Sequence, residues 1–387
     1  MRKTIFLILF SSLLLAVENN VIENNSDYHQ LPIPSCIMQK DAHYYTSFQL
    51  LITEAKMRGL EYAINNSATN SDVNGTMEDI DFHFKFGGKL SLGYLFDYDR
   101  WDLRATGSIY YSSANNKAHQ PVISESTASA PTAFDGQGLV PVWIHPSAYT
   151  HPINAGATGT APYNNLRFSD AKAKWNLDFY NAELELGKFF KVGEKVVLRP
   201  AFGLKSIFTY QKFRVEYLNS KTYWPDSSDY VIPSNSDIHL QTNGSGVGPK
   251  VGIETRWFIN PNFKLIFDAT GSLLYTFFRT SRRESDNYTY NSSGTATFYQ
   301  ENFNARSSFT SLKPYAGINI GAGWEKCFER KNSFPWKCTF DCTYFLENYW
   351  KMNNMIKFND DHTDGTYLSD NTDLQMQSIV IAFSFSF

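Results

Sequence analysis

The stretch FHFKFGGKLSLGYLF, residues 82–96, alternates with a period of two. Its even positions are Phe82, Phe84, Phe86, Gly88, Leu90, Leu92, Tyr94 and Phe96, and its odd positions include His83, Lys85, Lys89 and Ser91. Such alternation puts apolar and polar side chains on opposite faces of a β-strand. Four residues later the pattern resumes over 101–111, with Trp101, Leu103, Ala105, Ile109 and Tyr111 set against Asp102, Arg104, Thr106 and Ser108. The same texture returns at 44–57, 172–189, 196–213, 247–258, 263–278, 309–325, 338–349 and 373–387, which makes about ten strands. Within 172–189 the phase changes near Tyr180-Asn181: Trp175, Leu177 and Phe179 are odd, while Leu184 and Leu186 are even. A β-bulge there restores the facing.

The links between these strands alternate in length. Those at 97–100, 190–195, 259–262 and 326–337 are short; those at 58–81, 112–171, 214–246, 279–308 and 350–372 are long and polar. Tight turns on one rim and long loops on the other are the pattern of an all-β, transmembrane, antiparallel β-barrel with short periplasmic turns and long extracellular loops. Both termini then fall on the short-turn rim, which requires an even strand number; ten fits, within a range of 10–14.

Two features turn the barrel toward lipid. Trp101, Trp257, Trp324 and Trp336 stand at strand ends beside short turns, where indole rings mark a membrane boundary; Tyr110, Tyr210, Tyr275 and Phe277 are candidates for the opposite girdle. The chain also ends on alternating Ile379, Ile381, Phe383, Phe385 and Phe387, a terminal strand of the kind read by barrel-insertion machinery. Composition agrees. The 387 residues carry 16% aromatics but only 42% apolar side chains and a net charge of −3. A mean hydropathy of −0.35 excludes a polytopic helical membrane protein. Near-neutral charge argues against a nucleic-acid surface, and the aromatic content argues against disorder.

The N-terminus supplies an export address. Met1-Arg2-Lys3 is basic and 4–17 (TIFLILFSSLLLAV) is an apolar core too short to span a bilayer comfortably. The organisation expected is therefore a signal peptide over 1–17, a periplasmic N-terminal arm over 18–42 and the barrel over 43–387.

If the aromatic parity meets lipid, the other lines the lumen. Its basic candidates are Lys85, Lys89, Arg104, Lys172, Lys174, Arg199, Lys205, Lys250, Arg256, Lys264 and Lys313, with Glu254, Asp268 and Asp341 among the acidic ones. Charged side chains are costly in hydrocarbon, roughly 2–4 kcal/mol for Lys or Arg at the midplane, so the inward assignment is close to forced. The near balance of signs predicts no strong ion selectivity, and several of these charges are as readily wall-bracing salt bridges. Ten strands leave a narrow lumen, because about eight are filled by their own side chains and aqueous porins use about 16–18. Either the pore is small, or further strands lie at 231–240 or 139–144, or loop 112–171 folds inward.

No catalytic or metal constellation emerges. The eight His have no paired ligand spacing. Asp360, Asp361, His362 and Asp364 imitate a rim Asp/His site but read better as a solvated acidic loop. Cys327 and Cys338 flank the 326–337 turn, placed for a hairpin disulfide; alternatively Cys338 and Cys342, sharing the lipid-facing parity, are small apolar residues.

The segments KWNLDFYNAELELGKFF (174–190), LRPAFGLKS (198–206), GPKVGIETRWFINPNFKLIFDATGSLLY (248–275) and LKPYAGINIGAGW (312–324) resemble the MOMP-like pore-forming outer-membrane proteins, the major-outer-membrane-protein type of Legionella and chlamydia-related bacteria. The resemblance covers about 43–387 without the long loops. It implies a passive porin for small hydrophilic solutes in the bacterial outer membrane, with no enzyme activity, no cofactor, outer-membrane lipid as its surroundings, and disulfide crosslinks to envelope proteins through Cys36. The other function weighed is a surface adhesin or structural envelope barrel acting through its long loops.

Overall fold

A computed structural model describes residues 44–67, 74–96, 100–124, 136–145, 167–221, 233–292, 295–330, 333–358, 367–368 and 371–386. The leader, the arm with Cys36, Phe387 and the 360–364 cluster lie outside the described residues. Ten long strands form the wall: β1 Tyr44–Met57, β2 Lys85–Leu95, β3 Trp101–His119, β4 Arg167–Lys188, β5 Val196–Lys221, β6 Pro233–Phe258, β7 Phe263–Ser292, β8 Thr295–Arg330, β9 Ser333–Tyr349 and β10 Leu374–Ser386. Each pairs antiparallel with the next. β1 then pairs with β10 from Tyr45↔Ser386 to Met57↔Leu374, which closes the ring. The all-β transmembrane barrel of ten strands expected from the sequence is the fold. Closure leaves no wall edge unpaired, the condition for strands to cross lipid.

The period-2 alternation sorts the wall into two faces. Phe48, Phe86, Leu103, Phe202, Val251, Phe267, Ile320, Phe340 and Phe383 point outward and are exposed, as lipid-facing side chains of a barrel are. Alternate residues point in and are mostly buried.

About 9–11 residues suffice to cross a bilayer at a 45° tilt. β5 to β8 run for 26, 26, 30 and 36 residues, so one side of the wall rises well beyond the lipid belt at the long-loop end. The expected loops at 214–246 and 279–308 are thus largely strand. Their polar outward residues face water, which removes the hydrophobic alternation from which strands are read. Residues 233–240 extend β6 and are not an added strand. Gly136–Pro141 does form a strand, but off the ring: it pairs with Ala63–Asn66 and meets the wall at Leu139↔Phe168.

The same rise removes the expected bulge. β4 pairs with β3 and, through Ala171↔Tyr217 to Gly187↔Ala201, with β5 without a register shift near Tyr180. Its odd residues point inward throughout: Trp175, Leu177 and Phe179 are buried inside, above Glu183 and Glu185. What changes at Tyr180 is the surroundings. Below it the outward face meets lipid (Leu184, Leu186); above it that face meets water (Lys172, Lys174, Asp178). Lys172 and Lys174 are therefore outward residues and do not line the lumen.

Candidate functional site

The candidate site is the lumen, which is built in two layers. Toward the short-turn end lies a charged layer. Arg199, only 2% exposed, reaches from β5 over Gly187 of β4 and grips Asp102 of β3 with two parallel bonds, Nε to Oδ1 and Nη2 to Oδ2, both 2.8 Å. Its Nη1 donates to Glu254 Oε1 of β6 at 2.9 Å. Bidentate pairing of this kind matches the guanidinium fork to a carboxylate. Arg104 bridges Glu185 and Glu254, and Arg256 reaches Asp268, which also accepts from Asn319 Nδ2 at 2.9 Å. Lys250 joins Glu183 to Glu185, while Lys205 Nζ lies 2.7 Å from Glu183 and 4.0 Å from the Tyr315 ring centroid. Farther round the wall, Lys264 meets Glu325 at 3.0 Å and Asp341 at 3.2 Å, and Lys337 meets Glu325 at 3.2 Å.

Two glycines make room for these long side chains. A Cβ at Gly187 would come within 2.6 Å of the Arg199 guanidinium, and one at Gly93 would strike the Tyr45 ring, whose hydroxyl donates to Asp102 at 2.6 Å. Small inward residues thus let polar groups two strands apart meet over the strand between them.

Toward the long-loop end the layer is apolar. Inward residues of every wall strand except β2, among them Trp175, Phe213 and Phe278, form one buried cluster with residues of three segments that fold in from the long connections. Segment 60–63 contributes Leu60 and Tyr62, segment 139–144 contributes Leu139 and Trp143, and segment 352–355 contributes Met352 and Met355. Trp143 packs edge-on to Phe213 at 5.3 Å and donates Nε1–H to the Glu61 carbonyl at 2.8 Å. Arg282 donates to the carbonyls of Trp143 and Ile356, and the Glu284 carboxylate accepts the His145 N–H at 2.7 Å. Asn353 ties the third segment to the first through the Arg58 carbonyl at 3.0 Å. These three segments form a plug, one portion of which is the inward-folding part of loop 112–171.

Of the residues singled out by sequence, Lys85, Lys89, Arg104, Arg199, Lys205, Lys250, Glu254, Arg256, Asp268, Lys313 and Asp341 all carry inward parity. Lys313 sits at plug height, its Nζ 3.3 Å from Asn354 Oδ1. Tyr45 and Lys337 were missed as members of the charged layer. Both share the inward parity of their strands, but Tyr45 reads as an aromatic for the wall and Lys337 as part of a turn. Of the plug segments, 139–144 falls in the loop expected to add a strand or fold inward, whereas 60–63 and 352–355 carry no alternation and gave no signal.

Trp101, Trp257, Trp324 and Trp336 take outward parity beside the short turns, with Trp257 and Trp336 exposed. At the other boundary Tyr111, Tyr180 and Tyr210 stand outward on adjacent strands, ring centroids 5.9 and 6.3 Å apart. Tyr110 is not among them; it points inward and donates to the Thr53 carbonyl at 2.8 Å. Phe383 and Phe385 are outward and exposed on β10. The Cys327–Cys338 staple is not formed: Cys327 is disulfide-bonded, while Cys338 and Cys342 are free thiols. Odd Cys327 points inward and even Cys338 outward, so the sheet itself separates their sulfurs. Among the described residues no His, Cys, Asp or Glu cluster is arranged to hold a metal.

Solved structures with a similar path include the outer membrane protease OmpT of Escherichia coli, at 10% identity over 89% of this chain and 96% of that one, with a TM-score of 0.37. A Pseudomonas aeruginosa FadL homologue matches at 9% identity over 94% of both chains, TM-score 0.28. A major outer membrane protein of Thermus thermophilus matches at 10% over 90% of this chain and all of that one, TM-score 0.27. At such identities chemistry does not transfer. No curated protein matches closely. The family described as Legionella pneumophila major outer membrane protein precursor matches residues 39–387, a span that contains every strand of the barrel wall. The chain belongs to that family of outer-membrane proteins.

Proposed function

We propose that the protein is a narrow outer-membrane porin for small ions and small hydrophilic solutes, closed in the conformation described here and opened by displacement of the plug. The charged layer carries this reading. A barrel with a purely structural interior is more cheaply filled by apolar side chains, because removing paired charges from water costs several kcal/mol per ion before pairing offsets it. Ionised groups distributed over most of the wall strands are suited instead to a path that water enters once the apolar plug moves aside. Balanced charge makes such a path weakly selective. The short-turn rim faces the periplasm and the tall wall faces outward, and the activity is passive, with no catalytic step.

Planar-bilayer recording of the refolded protein tests this. Small, infrequent conductance steps are expected. Silence from a protein that stays folded, shown by its heat-modifiable migration on gels, would contradict the reading. A second reading, a surface or structural barrel, is favoured by the tall polar wall of β5 to β8, and silence would leave it standing.

A further inference from the structure

β6, β7 and β8 meet just beyond the lipid belt, where β7 and β8 carry three outward arginines. Tyr275 and Phe277 on β7 are the last outward exposed aromatics before the polar extension begins. Arg279 follows Phe277 on the same face, and its guanidinium lies 5.3 Å from the Phe277 ring centroid. Arg306 of β8 stands in register with Ser281, so it is a diagonal neighbour of both Arg279 and Arg283. Diagonal positions lie roughly 7–8 Å apart, which brings three guanidinium groups around one spot. They line a groove of about 400 Å³ whose remaining wall is hydroxyl and amide, including Gln241, Asn243 and Ser308.

Local carboxylates do not neutralise this groove. The alternation sends Arg282 inward, where Glu284 takes it. The nearest outward carboxylate by register, Asp237, is held by Arg214 through bonds of 2.9 and 2.8 Å. Among the described residues no carboxylate pairs with Arg279, Arg283 or Arg306.

From this geometry we propose that the groove binds the phosphorylated headgroup of a lipid in the outer leaflet. The site is continuous with the lipid-facing surface, so acyl chains of the same molecule run down the belt past Phe277 and Tyr275. Clustered arginines at headgroup height attract anionic lipid, each contributing modestly and adding together. The guanidinium fork suits phosphate oxygens in bidentate pairs. Gln241, Asn243 and Ser308 supply neutral donors beside them. This site does not depend on whether the lumen conducts.

The test is native mass spectrometry of the full-length barrel released from mixed micelles, with diphosphoryl lipid A as probe and its dephosphorylated form as comparison. One lipid should be retained per barrel with the phosphorylated probe, and retention should fall at least tenfold without the phosphates. The triple variant R279Q/R283Q/R306Q should lose the adduct to a similar extent, whereas Lys195→Gln, on the short-turn rim, should keep it. All three arginines are outward, so heat-modifiable migration will show the variant folded. Equal retention of the dephosphorylated lipid, or undiminished retention by the triple variant, overturns the proposal. So does full displacement by millimolar inorganic phosphate, which would make the groove a site for free anions.

Discussion

Arg199 is where the charged layer is most exposed to failure. It is buried and serves Asp102 and Glu254 at once, so Arg199→Gln leaves carboxylates without their partner inside the barrel. Removing one member of a buried pair typically costs about 3–5 kcal/mol; urea unfolding in detergent should show a loss of that order. Lys174→Gln, on the outward face above the lipid belt, should leave the same transition unchanged. Equal effects would mean that β4 is phased the other way. A second residue, Asp286, stands inward on β7 beyond the membrane and faces Glu284 and Glu301. Burial, reinforced by Glu284, pushes its carboxyl up to about 8. A raised carboxyl pKa contributes stability that is fully present below the unfolded carboxylate range and is lost as pH rises through about 8. Asp286→Asn should therefore match the wild type near pH 4 and melt at higher temperature than it at pH 9. The inward charges were legible from parity alone, since lipid forbids them elsewhere. Lys172 and Lys174 were misplaced because parity says which residues share a face and not what that face meets.

At the scale of the element, the strands were legible wherever one face meets lipid. Phe82 to Phe96 and Trp101 to Tyr111 announce β2 and β3, and Ile379 to Phe385 announce β10. The far halves of β7 and β8 were hidden: in TSRRESDNYTYNS both faces are largely polar, so hydrophobic period gives no signal although backbone pairing continues to Ser292↔Thr295. The plug was hidden for a different reason. Its segments are short, only partly strand, and their apolar residues, Leu60, Trp143 and Met352, meet partners far away in sequence. Trp143 is the largest of them and fills the space beside Phe213. Trp143→Ala should open a cavity costing about 3–5 kcal/mol, felt by the plug and not by the wall. Protease should then cleave near 136–145 faster, while the barrel keeps its folded gel mobility. Unchanged cleavage would mean that the segment is held by its hydrogen bonds alone.

At the scale of the molecule, ten strands close a barrel whose interior holds a paired charged layer and, toward the long-loop end, a buried apolar cluster with the plug segments. Strand number was readable from alternation and loop length together, and it already implied a narrow lumen. The filling of that lumen was not readable, because it depends on contacts between the plug and inward residues of opposite walls. The proposed porin activity requires the plug to close a conducting path. Single-channel recording of the wild type beside a variant whose residues 136–145 are replaced by a Gly/Ser linker tests it most directly. The variant should show larger and more frequent steps than the wild type, with little preference between cations and anions. Identical traces from the two folded proteins, conducting or silent, would contradict it.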